Sequence, residues 1–403
     1  MKKSMIVAAM LAMVATGANA KSAADSAAIA KNKPVFTVVK QNPITSIKDQ
    51  NRSGTCWAYS TLSYFESEIL KHTGKTYDLS EMFVANKTYM DRATMAVRMH
   101  GDVSFSQGGS AYDVLYALQH YGIVPESAMP APGTLTGDSL ANFGEFFDVM
   151  TPYVEAVAKS NAKKISSAWK SGLQGIIDSY IGKTPEKFTY QGKQYTPQSF
   201  CQSLGLNLDD YVTITSYTHH PMWSKFAVEV QDNWRWPLSY NVPMDDLCKI
   251  IDNAINNGYT IAWGGDVTED GFTRKGLGIA YDVKKVRSMA GTDADRWFKL
   301  SKDEKKEKFD SLGVNAPEVT PTQAMRQEAF DNWETTDDHG MHIYGIAKDQ
   351  NGKEYYMVKN SWGEYGDYKG TWYMTKAFVA YKTMDFMVNK NAIPKDIRKK
   401  LGI

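Results

Sequence analysis

The sequence predicts an α+β protein built from two unlike halves, a helical one near its start and a sheet-rich one near its end. Two observations carry this. After Cys56 the apolar residues Ala58, Leu62, Phe65 and Ile69 recur at the spacing of one buried helix face, and further helical segments follow. In the last hundred residues the runs Met341–Ala347 and Glu354–Lys359 flank an Asn351-Gly352 turn, the strongest short-range hairpin signal. A helical half carrying a cysteine and a sheet half at the other end of the chain leave a cleft between them.

The first twenty residues stand apart. Lys2 and Lys3 precede an apolar run from Met5 to Val14, and Ala18-Asn19-Ala20 supplies small residues at a cleavage site. This is the pattern of a secretory signal peptide, too short in its apolar part to span a bilayer. It implies an exported protein, periplasmic or secreted, with no membrane attachment after cleavage. Residues 21–40 read as a leader, polar at first and strand-like from Val35 to Val39.

The helical half is placed at 41–129. The Cys56 helix stops at Lys71, His72 and Gly74, a second helix covers Glu81–Met95, and a third presents Val114, Leu115 and Leu118 before Gly122. Residues 130–240 read as a helical insertion or lid, with amphipathic stretches at Phe143–Lys159 and Ile165–Tyr180. The sheet half is placed at 241–403: Tyr259–Trp263 is strand-like, the charged run Lys302–Lys308 is a solvated helical face, and strands at Thr371–Met374 and Asp385–Val388 extend a twisted antiparallel sheet.

With 403 residues, 43% of them hydrophobic and 23% charged, the chain can bury one large core or two medium ones. Removing residues 1–20 takes away two lysines and no acid, so the formal charge falls from +1 to −1. A near-neutral chain is not built to spread over nucleic acid. Three cysteines leave at least one thiol free: Cys201 and Cys248 are either paired or both buried, with Cys56 free. No cofactor or metal pattern stands out.

Cys56 lies where a Gly-containing loop meets the first turn of a helix. There, unpaired N–H groups and the positive dipole end favour a thiolate, the form that acts as nucleophile. Such a nucleophile needs a base, a group that orients the base, and donors for an oxyanion. Gln50 stands six residues ahead. Asp338-His339-Gly340-Met341-His342 opens one strand of the hairpin and Asn360-Ser361-Trp362-Gly363 follows its partner, so His339 and Asn360 fall at the same end of the sheet. An Asn amide oxygen accepting from the ring would fix the imidazole tautomer. His342, three residues further along, points to the opposite face, which favours His339.

Gln50, Ser53-Gly54-Thr55-Cys56-Trp57-Ala58-Tyr59-Ser60, Gly108-Gly109, Asp338-His339-Gly340-Met341 and Lys359-Asn360-Ser361-Trp362-Gly363 together resemble the papain-like cysteine peptidases, family C1. Gly122-Ile123-Val124-Pro125, Ile261–Val267 and Met387-Val388-Asn389-Lys390 are similar to the bleomycin hydrolase and aminopeptidase C branch, and the likeness reaches most of the chain outside roughly 130–210. The resemblance implies a papain-like fold. It makes Cys56 the nucleophile and His339 the base, with Asn360 orienting it and Gln50 sharing the oxyanion hole with the Cys56 N–H. It also assigns Gly108-Gly109 to pairing with the substrate backbone, Trp362 to covering the His339–Asn360 bond, and Asp338 to the substrate cleft.

By the same resemblance the partner is a peptide or protein substrate, hydrolysed through a thioester, and the assembly is a hexameric ring. That branch restricts cutting to amino ends with a C-terminal arm, and here the end at Leu401-Gly402-Ile403 looks short for it. An aminopeptidase is therefore expected, with an open-cleft endopeptidase or a catalytically silent peptide-binding protein on the same scaffold as alternatives.

Overall fold

The computed structural model describes residues 33–132, 140–285, 301, 304 and 312–403, and the fold is reported for these. The expected signal peptide lies outside them, as does most of the Lys302–Lys308 run.

The chain opens with strand β1 (Thr37–Gln41) and then supplies the helical half: α1 (Cys56–Thr73), α2 (Glu81–Arg98) and α3 (Ala111–His120). Helices α4 (Gly144–Ala158) and α5 (Ala168–Ile181), the small hairpin β2 (Phe188–Tyr190) and β3 (Lys193–Tyr195), and α6 (Pro197–Ser203) add to it. The sheet half begins earlier than the sequence suggests, with β4 (Tyr211–Thr215), β5 (Lys225–Phe226) and β6 (Ser239–Asn241). It continues through α7 (Met244–Asn256), β7 (Ile261–Gly265), β8 (Phe272–Thr273), β9 (Leu277–Gly278), α8 (Gln323–Asp331), β10 (His339–Lys348), β11 (Glu354–Lys359), β12 (Thr371–Thr375), α9 (Lys376–Lys382), β13 (Thr383–Asn389) and α10 (Lys395–Leu401).

Two expectations are corrected here. Residues 130–240 are not one helical insertion: from Tyr211 onward they give three strands to the main sheet, β4 pairing with β13. These strands are two to five residues long and partly polar, too short for a period-2 pattern to stand out. The sheet is also mixed rather than antiparallel. Its order is β5-β6-β4-β13-β7-β10-β11-β12-β9-β8, with β1 on β10, and the β4–β6 and β12–β9 pairs are parallel. Part of the leader, Thr37–Gln41, is itself a strand of this sheet.

Each half has its own core. Leu62, Phe65 and Ile69 on α1 are fully buried among Met82, Phe83, Val114 and Phe146. At about 1.5–3 kcal/mol for each such side chain, this stripe is what holds α1, since the Thr55 side chain makes no cap bond. The helix stops where Gly74 turns left-handed, φ 69°. The other core packs Ile250, Ile251, Trp263, Ile343, Val358 and Phe386 between α7 and the sheet.

Helix α1 lies across β10, the central strand. A Cβ on Gly340 would stand 2.7 Å from Ser60 Oγ and 3.3 Å from the Cys56 carbonyl. The missing side chain is thus what lets the start of β10 approach the start of α1. His342 lies on the same strand face as Gly340 and binds Ser63 of α1, Nδ1 to Oγ 2.9 Å, so His339 takes the opposite face.

Candidate active site

A cleft of about 340 Å³ lies where the two halves meet. Gln50, Cys56, Gly108, Gly109, Asp338, His339 and Trp362 all line it. Asn360 stands directly behind His339 and is buried.

The geometry around His339 fixes its chemistry. His339 Nε2 is 2.8 Å from Asn360 Oδ1, and the same oxygen accepts the Ser361 N–H at 2.8 Å. A backbone N–H can only donate, so the atom facing it is the amide oxygen. The imidazole therefore carries its proton on Nε2 and leaves Nδ1 as a base. The Trp362 ring lies over the imidazole, centroids 4.9 Å apart, and is braced edge-on by Trp372 at 5.5 Å. This apolar cover keeps water from competing for the His339–Asn360 bond.

Gln50 is held at both ends of its amide. Its Oε1 accepts from Ser361 Oγ at 2.6 Å, and its Nε2 donates to the Ser53 carbonyl at 2.8 Å. One Nε2 hydrogen remains for the cleft, which Gln50 lines. Cys56 is the first helical residue, so its N–H has no acceptor within the helix. Both residues line the same cleft.

The surroundings of the sulfur work against the thiolate that the helix end was expected to favour. Burial pushes the Cys56 thiol up to about 12, the Gly340 and Trp57 backbone groups oppose this, and the charges of Asp337 and Asp232 add to it. Burial likewise lowers His339 to about 4, against the Asn360 bond. Burial thus works against both the thiolate and the imidazolium.

Three carboxylates that no motif pointed to also line the cleft: Asp232, Asp337 and Asp385. Asp337 precedes the Asp338-His339 pair, which was its only signal in the sequence. Asp232 pairs with Arg92, Oδ1 to Nη1 3.1 Å, and Asp385 accepts from Ser239 Oγ at 3.3 Å. Burial, with repulsion from Asp232 and Asp385, holds the Asp337 carboxyl well above the usual carboxylate range, and burial holds Asp385 up at about 6. Asp338 has a different position. Its carboxylate accepts from Val267 N–H, Thr268 N–H and Thr268 Oγ1 at 2.9, 3.2 and 2.5 Å, so it ties the loop after β7 to the start of β10.

Residues 226–235 form a strap along one wall. Phe226 and Val228 pack with Tyr217 and Met384 of the sheet half, and Val228, Val230 and Asp232 line the cleft. The strap is anchored on the helical half by Arg92–Asp232 and by Arg235, which bonds Asp113 and Asp91 at 2.7 Å each. At the other end of the chain, α10 packs Ile397 and Leu401 into the sheet-half core, and Ile403 packs against the same core. All three thiols are free; Cys201 packs in one core and Cys248 against the other.

The profile of the Peptidase C1-like family matches residues 2–333 and 310–402. The chain is 23% identical to aminopeptidase G of Lactobacillus delbrueckii subsp. lactis, over 89% of this chain and 84% of that protein. It is 24% identical to aminopeptidase C of Lactobacillus helveticus, with 90% and 85% covered, and 21% identical to bleomycin hydrolase of Homo sapiens, with 87% and 81% covered. Among solved structures, PepW of Lactobacillus rhamnosis HN001 superposes with a TM-score of 0.68 at 19% identity, covering 94% of this chain and 86% of that one. The chain therefore belongs to the Peptidase C1-like family, among the papain-like cysteine peptidases of the aminopeptidase C and bleomycin hydrolase branch.

Proposed function

We propose that this peptidase is an exported aminopeptidase whose chemistry is carried by Cys56, His339, Asn360 and Gln50. The observation that carries the reading is the His339 Nε2 to Asn360 Oδ1 bond of 2.8 Å, which leaves Nδ1 as a base in the same cleft as Cys56.

His339 Nδ1 takes the thiol proton as Sγ attacks the substrate carbonyl carbon. The carbonyl oxygen becomes an oxyanion, met by the Gln50 Nε2–H and the Cys56 backbone N–H. When the C–N bond breaks, the imidazolium returns its proton to the departing amine and a thioester remains. Water then attacks that carbonyl with His339 again as base, and the thiol is restored.

Two features support cutting at a free amino end. The strap covers Gly108, leaving little room beyond the scissile bond on that side. A substrate ammonium there meets Asp337 and Asp385, and Asp337 has no hydrogen bond or ion pair among the described residues. An arriving ammonium lets that carboxyl ionise, which strengthens the hold on it.

The test compares a free-amine aminoacyl amide with its N-acetylated form. The reading requires loss of cleavage on acetylation and loss of all cleavage in Cys56→Ala. Equal cleavage of both forms would leave an endopeptidase, and peptide binding without turnover in reducing buffer would leave a silent binder. Export rests on Lys2, Lys3, the Met5–Val14 run and Ala18-Asn19-Ala20; an N-terminus at Lys21 in secreted or periplasmic protein checks it. The family resemblance favours a hexamer, which light scattering would resolve.

A further inference from the structure

Outside the cleft, the loop after β4 and the strap bring two imidazoles onto one carboxylate. His219 Nε2 is 2.9 Å from Glu229 Oε2, and His220 Nε2 is 2.7 Å from Glu229 Oε1. One donor atom from each of the three residues lies within 4.8 Å of the other two.

Both rings are held in place by their neighbours. His219 stacks on Phe330 of α8, centroids 5.6 Å apart at 12°, and His220 stacks on Phe226 at 4.1 Å and 22°. The far nitrogen of His219 faces the Gln327 amide, 3.3 Å from Oε1 and 3.0 Å from Nε2. That amide is fixed in turn: Oε1 accepts the Thr218 N–H at 2.6 Å and Nε2 donates to Asp331 at 2.9 Å. Gln327 thus suits either tautomer of His219. With the proton on Nδ1, donated to Oε1, the Nε2 lone pair is free. An outer partner able to accept the Nδ1 proton is what a histidine bound to metal through Nε2 requires.

We propose that His219, His220 and Glu229 form a binding site for a divalent transition cation of the zinc type. Two neutral imidazoles and one carboxylate are a donor set that suits such an ion, with water as the fourth ligand. Ligands on a tetrahedral zinc at about 2.0–2.1 Å from the metal stand a little over 3 Å apart, so donor atoms within 4.8 Å of one another must close by about 1.5 Å at most. Glu229 and His219 are exposed, which gives the carboxylate freedom to turn and the ion a path of entry.

The site has a consequence for the cleft. Glu229 lies between Val228 and Val230, both of which line it. An ion held there ties the strap to the β4 loop and, through His219 and Gln327, to α8. The wall that carries Asp232 becomes a cross-linked part of the sheet half, and metal occupancy acts as a stiffener of the substrate channel. This holds whatever the substrate is.

The experiment uses the full chain with Cys56→Ala, which removes the reactive thiol as a competing ligand. Zinc is titrated calorimetrically and cobalt by visible absorption, each alongside thermal unfolding. The proposal requires one equivalent of metal, cobalt bands of a nitrogen and oxygen site, and a rise in melting temperature. His219→Asn and Glu229→Gln, made separately, should each weaken binding at least tenfold and cancel the rise, with circular dichroism unchanged. No binding, thiolate bands from Cys201 or Cys248, or affinity unaltered by both substitutions would overturn it.

Discussion

Asp232 is packed so closely on Gly108 that a Cβ at that glycine would stand 1.8 Å from the carboxylate oxygen Oδ2. The Gly108 carbonyl and Asp232 share one donor, Arg92 Nη1, at 2.5 and 3.1 Å. Expected from the resemblance as a strip for substrate backbone, Gly108 is also the seat of the strap. Gly108→Ala must then push Asp232 off Arg92, which is fully buried and loses its charged partner.

We expect this substitution to cost about 1–3 kcal/mol, the usual range for overpacking, and to raise KM more than it lowers kcat. Chemical unfolding and steady-state kinetics measure both. Asp232→Ala in the same chain removes the clash, so the double variant should recover part of the stability lost in the single one. A Gly108→Ala protein as stable and as active as its parent would show that the strap is not seated there.

The burial of His339 sets a pH dependence of stability. Its folded value of about 4 lies below the ordinary 6.5, so the unfolded chain takes up a proton first as pH falls. The stability that depends on the neutral ring is intact above about 6.5 and is lost down to about 4, a change of about 3 kcal/mol at 1.36 kcal/mol per pKa unit. His342, also held low by burial, adds a slope of the same sign. Asp385, held up at about 6, has the opposite one. His339→Gln isolates the first effect: relative to the parent, its stability should improve by about 3 kcal/mol between pH 7 and pH 4 in denaturant titrations. A constant difference across that range would mean that the ring protonates freely in the cleft.

Asn360 and Gln50 act on different steps and separate in kinetics. Asn360→Ala frees the imidazole to turn and to change tautomer, and it should lower kcat by about 10²-fold, the low end for a misplaced general base. Gln50→Ala removes one oxyanion donor, for which a loss of about 10²–10³-fold in kcat is usual. KM should move little in either, because both groups meet the transition state rather than the ground state. The discriminating measurement is thiol alkylation: Asn360→Ala should change its pH profile, and Gln50→Ala should leave it unaltered.

Local pattern revealed the parts of the site that lie on one element. The Cys56 helix start, the Asn351-Gly352 hairpin and the pairing of His339 with Asn360 across it depend on neighbours within about twenty residues, so periodicity and turn chemistry reach them. Asp232, Asp337 and Asp385 do not share an element. They meet only because β7 lies between β13 and β10 in the sheet and the strap crosses to α2. The same limit hid β4, whose pairing partner β13 lies some 170 residues away along the chain, and β5 and β6 join the sheet only through β4. The burial that works against a Cys56 thiolate was hidden for a related reason, since it comes from the packing of the whole cleft whereas the dipole of α1 is local.

Asp337 gives the sharpest test of specificity. Its carboxyl lines the cleft, and burial with the charges of Asp232, Asp385 and Asp338 outweighs the opposing charge of Arg92 in holding it neutral. On the proposed reading a free-amine substrate brings a second cation to the group, whereas an acetylated one does not. Asp337→Asn keeps the shape and removes the charge, so it should raise KM for free-amine substrates at least tenfold while leaving acetylated ones as they were. The ratio of kcat/KM for the two forms is the measurement. If the parent enzyme discriminates and Asp337→Asn discriminates equally, the amine is held elsewhere; if the parent does not discriminate, the preference for amino ends is itself wrong.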